Sequence, residues 1–409
     1  MICHFMPRQH PNLQIEKQLG VFAWVMWLIA FTVISAIVWP APLRHSDCWN
    51  YYQPATDFWA GRNLYRYNIV TDGFLYLPQF ALIYTPFMRL GHPLGDIAWR
   101  GAGLSVLAVG LWRMSAALAP GRKWFIFALA TAGTLPVAIA SLRNGEANLH
   151  IAGMMLLAAV DLRARRWGWA TFWLAGGLMV KPIMMVMLLL AGAMFRPMIA
   201  RLVIALIIIA AAPFLFQSPH YVAEQYHDYA RWMTLASQPQ DLYCNIRGLL
   251  GKMGWTMSQP VLRATGVLAA LLALGLCLVA KRRTEESAAP MFLLGFAACY
   301  LMLCNPKTEA NSYVILAPVI ALPAAILLAI EDRPRAAIGL FFLSFLLVCD
   351  FWAYRPTENW LKPLTALIVM VLLLRQLFKG EDIEIESEPP KAHQSAPLLS
   401  AASPKIPIA

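Results

Sequence analysis

The sequence predicts an all-α polytopic membrane protein, on three observations. Of the 409 residues, 59% are hydrophobic and only 13% charged, against about 25% charged in an ordinary soluble domain. Long apolar runs recur to residue 378. The runs are continuous and lack the period-2 alternation of a membrane barrel strand, which leaves helices as the spanning element.

The net charge of +11, from 33 Lys and Arg against 22 Asp and Glu, fits such a chain, because basic residues collect on the cytoplasmic side of a membrane protein. They are dispersed, and no nucleic-acid-binding module is visible, so nucleic acid is not an expected partner. The seven cysteines, Cys3, Cys48, Cys244, Cys277, Cys299, Cys304 and Cys349, show no metal-ligand spacing. Most lie in apolar runs, where a thiol behaves as a small hydrophobe.

Residues 1–19 read as a cytoplasmic tail carrying Arg8 and Lys17. The first run, Val21 to Trp39, exceeds the roughly 7–15 residues of a cleavable signal core, so it is expected to stay as an anchor. The transmembrane domain is then 20–379, with about 12 helices. The candidate spans are 20–40, 97–118, 125–140, 148–162, 168–181, 183–195, 199–216, 260–280, 289–304, 312–330, 336–353 and 360–378. Pro182 would break a continuous helix between the fifth and sixth of these, so that pair could also form a hairpin dipping from one side.

Residues 78–90 decide the topology. At about 20 Å and with Pro78 and Pro86, the segment is too short and too interrupted for a full crossing. Read as re-entrant or interfacial, it places the basic loops at Arg122, Arg163 to Arg166, Arg196 to Arg201, Lys281 to Arg283 and Arg333 to Arg335 on one side, the cytoplasmic one, with both termini. The polar segments 41–77, 141–147, 217–259 and 305–311 then share the outer face. Cys48 and Cys244 would share it too, although sequence cannot supply the geometry a bridge needs. The tail 380–409, acidic and then rich in Pro, Ser and Ala, is expected to be disordered and cytoplasmic.

The chemistry is expected on that outer face. Asp47, amid Arg44, His45 and Trp49, reads equally as a general base toward a hydroxyl or as an N-cap, shared with Ser46, of a short interfacial helix. Tyr52 and Asp57 follow on the same segment, Asp57 as the second candidate acid; Asp72-Gly73 has turn chemistry. The segment SLRNGEAN supplies Arg143, Asn144, Glu146 and Asn148, either as a tight turn or as a binding group for sugar hydroxyls. Lys181 ends an apolar helix, where it either snorkels to headgroups or meets a phosphate as a point charge. The later loops add Asp241, Asn245 and Arg247, then Lys307, Glu309 and Asn311. Walker A, Rossmann, HExxH and GxSxG patterns are missing, as is the Asp-x-Asp clamp of metal-dependent nucleotide-sugar enzymes; no metal and no cofactor are expected.

The stretches SDCWNYYQPATDFWAGRNLY (46–65), FLYLPQFALIYTP (74–86), RNGEAN (143–148), VKP (180–182), NIRG (245–248) and NPKTEANSY (305–313), in this order, resemble the class C glycosyltransferases, most closely glycosyltransferase family 87. The resemblance implies a multi-spanning fold in a bacterial inner (plasma) membrane, with a periplasm-facing site. It implies a polyprenyl-phosphate sugar donor, typically of mannose, an envelope glycolipid or glycan acceptor, and transfer without a metal. The family's acidic residue in the first outer loop falls on Asp47, as general base of an inverting displacement, with Lys181, Arg143 and Lys307 facing the departing phosphate. Two departures are notable: Glu146 stands where the family usually has Gln, and Glu309, Asn311 and Ser312 lie where mannosyl-transferring relatives can carry His. The rival reading is a transporter or flippase for a lipid-linked or amphipathic substrate. That class is expected to place ionisable groups near the midplane and to show internal repeats; neither is evident here.

Overall fold

The computed structural model describes residues 13–42, 44, 46–66, 73–236, 243–349, 357 and 359–379. Asp72, His45, Asp241, Cys3 and the tail 380–409 lie outside them. The described residues form sixteen α-helices and no strand, as an apolar chain in lipid requires, since a helix satisfies its own backbone groups. They are α1 Leu13–Val38, α2 Cys48–Trp59, α3 Phe80–Leu90, α4 Leu94–Leu118, α5 Lys123–Asn144, α6 Asn148–Arg163, α7 Trp167–Val180 and α8 Met185–Met194. The second half holds α9 Arg196–Ala211, α10 Pro219–Ala236, α11 Ile246–Lys252, α12 Gln259–Arg283, α13 Ala289–Cys304, α14 Ala317–Ala329, α15 Pro334–Leu346 and α16 Leu361–Lys379.

Among the described residues each of the twelve expected spans coincides with a helix, the one expected over 336–353 ending at Leu346, and seven helical stretches are long and apolar enough to cross a membrane. The first helix starts at Leu13 rather than at residue 20. Side-chain contacts sort the helix ends into two layers. In one, Arg122 binds Glu16 at 2.9 Å and the Ala329 carbonyl, Arg113 binds Asp161 at 2.7 Å, Arg163 donates to the Ser287 carbonyl at 2.7 Å, and Lys281 donates to the Met194 carbonyl. The basic loops therefore gather at one end of the bundle. At the other end the Asp47 amide meets the Asn144 carbonyl at 2.9 Å, Lys181 meets Asn148 at 2.7 Å, and Lys362 meets the Ala310 carbonyl at 2.9 Å.

This sorting settles the path of α3. The first helix, α1, runs from the basic end, where Glu16 lies, to the polar end, where α2 begins. From that same polar end α4 starts back, with Arg100 on the Leu142 carbonyl and Arg113 on Asp161. Both ends of α3 therefore lie at the polar end, packed on α2 and α4. The break at Pro182 is also present, as a 3-10 turn over Pro182–Met184. It joins α7 and α8 as antiparallel limbs whose tip, Lys181, reaches the level of Asn148.

Packing is most extensive between α4 and α6. Small residues let the two backbones approach, as in membrane helix pairs generally: a Cβ on Gly153 would stand 2.5 Å from the Leu107 nitrogen. Outside the bundle, α10 lies across the segment after α2. Its Gln225 accepts from the Leu64 amide at 2.9 Å, its Tyr221 donates to the Arg62 carbonyl at 2.8 Å, and its Asp228 accepts from Asn63.

Candidate functional site

The polar end is built around the turn between α5 and α6. Gly145 has φ +72°, the left-handed conformation that ends α5 and that glycine adopts without penalty. A Cβ there would stand 2.6 Å from Cys48 Sγ and 2.9 Å from the Arg100 guanidinium. Arg100, buried although charged, binds the orphan carbonyls of the last turn, Leu142 at 3.0 Å and Arg143 at 3.0 Å. A cation at a helix C-terminus satisfies those carbonyls and complements the dipole. The same guanidinium reaches Ser46 Oγ at 2.9 Å and Cys48 Sγ at 3.3 Å, and Trp99 Nε1 donates to the Gly145 carbonyl at 2.9 Å. Together these contacts fix Asp47 against the α5–α6 turn.

Asp47 does not cap α2 with its side chain; Ser46 Oγ accepts from the Cys48 amide at 3.3 Å instead. The capping reading therefore passes to Ser46. Asp47 faces Tyr51, Tyr76 and Glu146 closely enough for its charge to raise the pKa of all three. The two phenols are bonded to each other at 3.0 Å, and Tyr51 Oη accepts from the Ala147 amide at 3.2 Å. Burial, before any other cause, holds both well above the ordinary tyrosine range.

Glu146 is the hub. Its carboxyl is buried and takes hydrogen bonds from Asn144 Nδ2 at 3.3 Å, Asn311 Nδ2 at 2.6 Å, Asn148 Nδ2 and Ser141 Oγ at 3.4 Å. Asn148 also accepts from Lys181 Nζ at 2.7 Å and donates to Ser312 Oγ at 3.3 Å. Burial pushes the Glu146 carboxyl up to about 8; the negative charges of Glu309 and Asp47 add to the shift, while Lys181 and the Asn311 amide oppose it. Three acids, one lysine and three amides from four separated stretches of chain thus share one site, which can hold polar groups and move a proton.

The other predicted residues lie around this site or away from it. Arg143 is exposed at the end of α5. Asn245 serves α11 and the late loop: it accepts from the Gly248 amide at 3.1 Å and donates to the Asn305 and Pro306 carbonyls at 3.1 and 3.2 Å. Arg247 sits in the first turn of α11, and Lys307 lies 5.9 Å above the Tyr243 ring. Asp57 lies apart from these residues. Both of its oxygens are held by Arg62 and Arg66, at 2.6, 2.8 and 3.1 Å, so it anchors the chain after α2 and is not brought to the Glu146 cluster. Tyr52 packs against His92 with ring centroids 4.4 Å apart, and its neighbour Tyr51 is the tyrosine that reaches the Glu146 cluster. Cys48 and Cys244 are both free thiols. Among the described residues no group of three or more His, Cys, Asp or Glu is arranged to hold a metal ion.

Fold and site define a multi-pass helical membrane protein with one polar, acid-bearing end. In comparison with known families, residues 74–306, just over half of the chain, match glycosyltransferase family 87. The chain belongs to that family and is a membrane glycosyltransferase. No curated protein and no solved structure matches it. The matched segment includes Arg143 to Asn148, Lys181 and Asn245, whereas Asp47, Lys307 and Glu309 lie outside it.

Proposed function

We propose that the chain transfers a hexose, mannose foremost, from a polyprenyl-phosphate donor to a hydroxyl of an envelope glycolipid or glycan. The site faces the periplasm from the bacterial inner membrane. The observation that carries the reading is the packing of Asp47, Glu146 and Lys181 into one polar layer opposite the basic loops, where a lipid phosphate and a water-facing acceptor can meet.

Asp47 acts as general base. As the acceptor oxygen forms its bond to the anomeric carbon, Asp47 takes the hydroxyl proton. The bond from that carbon to the phosphate oxygen breaks on the opposite face, its electron pair leaves with the lipid phosphate, and the configuration inverts. Lys181, with Arg143 and Lys307 from the neighbouring loops, supplies positive charge for the leaving group. Burial makes Glu146 hold its proton more tightly than an ordinary carboxyl, which favours Asp47 over it as the base. Glu146 holds Asn144, Asn148 and Asn311 in place and offers hydrogen bonds to the sugar.

The test is transfer from radiolabelled polyprenyl-phosphate mannose to an extract of envelope glycolipids by the purified chain. Asp47→Asn should lower the rate by about 10²- to 10⁴-fold, the usual worth of a positioned base, with donor still bound. Equal rates in the two proteins would remove Asp47 from the role, and neither transfer nor donor binding by the wild type would remove the donor assignment.

A further inference from the structure

A second polar group lies beside the first and is not used by it. On α4, the buried Asp96 carboxylate accepts from His92 Nδ1 at 2.7 Å and from Tyr84 Oη at 3.4 Å, and Arg100 Nη1 caps the Asp96 carbonyl at 3.1 Å. That contact fixes the imidazole and leaves Nε2 as its uncommitted nitrogen. Among the described residues His92 Nε2 has no partner, although the atom itself is covered. A covered polar atom without a partner costs free energy unless some other state of the protein satisfies it.

Two aromatic rings cover this histidine. Tyr52 lies 4.4 Å from it and Trp49 6.3 Å, while Trp49 and Tyr52 are themselves 6.3 Å apart and nearly parallel at 10°. Trp49 is 42% exposed, which is a large apolar face left open on a short helix. Parallel aromatic faces flanked by one fixed polar group match the chemistry of a pyranose. Its C–H face is apolar and packs on rings, while its hydroxyls both donate and accept. Trp49 follows Asp47 by two residues, in the first turn of α2.

We propose that Trp49, Tyr52 and His92 form a saccharide subsite that seats the acceptor sugar next to Asp47. The ring stacks on the open face of Trp49, and one hydroxyl bonds His92 Nε2 once Tyr52, which packs on the imidazole, turns aside. The Asp96 carboxylate holds the histidine, and Arg100, on the Asp96 main-chain carbonyl and on Ser46 Oγ, ties that turn of α4 to the segment carrying Asp47. The assignment of this sugar as acceptor rests on the glycosyl-transfer reading above; sugar binding itself does not.

The test is therefore a binding measurement with the full chain in lipid nanodiscs. Saturation-transfer NMR with methyl α-D-mannopyranoside and methyl α-D-glucopyranoside, irradiating aromatic protons, should show transfer to the sugar-ring protons of at least one glycoside. Trp49→Ala should reduce that signal about tenfold, His92→Ala should reduce it comparably, and Trp49→Phe should restore most of it. Because Trp49 is exposed, the alanine variant is expected to fold, and its thermal transition should match that of the wild type. No transfer to either glycoside in the wild type, or equal signals in wild type and Trp49→Ala, would overturn the subsite. In the transfer assay, Trp49→Ala should raise the acceptor KM about tenfold with donor KM unchanged. Wild-type transfer with an unaltered acceptor KM in Trp49→Ala would overturn the acceptor assignment while leaving glycosyl transfer standing. Sugar binding without any transfer would overturn the transfer reading instead.

Discussion

Burial and the charges of Glu309 and Asp47 raise the Glu146 carboxyl to about 8, and this gives it a measurable signature. A carboxyl whose folded pKa lies above its unfolded value binds its proton more tightly in the folded protein. Its contribution to stability is full below the unfolded value and is lost as pH rises through about 8. Between pH 6 and pH 9 the wild type should therefore lose thermal stability, and Glu146→Gln should lose less over the same interval. A Gln side chain keeps an acceptor oxygen for the surrounding amides, so this variant should retain transfer within about threefold. Glu146→Ala leaves the amides of Asn144, Asn148 and Asn311 without their shared acceptor and should destabilise by about 2 kcal/mol or more. If Glu146→Gln abolished transfer as completely as Asp47→Asn, Glu146 would carry a proton in the reaction. At this scale the sequence was informative wherever a polar residue broke an apolar run: Asp47, Glu146, Asn148 and Lys181 stand out for that reason, and they do converge. Arg100 was missed although an arginine inside a predicted span is itself a signal of function. Tyr51 was missed because α2 has aromatic residues on both faces, so composition alone could not choose between Tyr51 and Tyr52.

Helix packing brings these residues together, and two glycines test it. At Gly145 the constraint is both conformational and steric, since φ is +72° and a side chain would enter the space of Cys48 and Arg100. Gly145→Ala should cost about 1–3 kcal/mol and should lower kcat by displacing the segment from Ser46 to Cys48, with donor binding less affected. At Gly153 the obstacle is the α4 backbone, which cannot yield as a flexible side chain would. Gly153→Ala should lower the thermal transition clearly, whereas Gly275→Ala, where a Cβ meets nothing within 4 Å, should be neutral or slightly stabilising. Equal transitions for the two variants would contradict the close approach of α4 and α6. The expected spans were legible because each is a continuous apolar run, whereas α2 and α10 are mixed polar and aromatic segments that lie in the polar loops. Which loops meet was not legible, because Ser141 to Asn311 and Asp47 to Asn144 are contacts between distant segments that periodicity does not encode.

Across the whole molecule, the distribution of charge implies a direction in the membrane. Arg163, Arg165, Lys281 and Arg122 lie at one end with the N-terminal turn of α1, while Asp47, Glu146 and α10 lie at the other. Basic residues in short loops mark the cytoplasmic side, so the acid-bearing end should face outward. Single cysteines placed at each end would read this directly, against a background in which the described native thiols are all buried or half-buried. Glu286, with a side chain 59% exposed beside Arg165, marks the basic end; His220, 81% exposed on α10, marks the acidic one. In intact cells a membrane-impermeant maleimide should label His220→Cys at once and should reach Glu286→Cys only after permeabilisation. The opposite pattern would place the site on the cytoplasmic side, within reach of water-soluble nucleotide sugars. The lipid-linked donor would then lose the topological reason for preferring it, and the assay would have to be repeated with nucleotide-activated sugars. Labelling of both positions from outside would mean that α3 or one of the short helices crosses where side-chain contacts return it to the same layer.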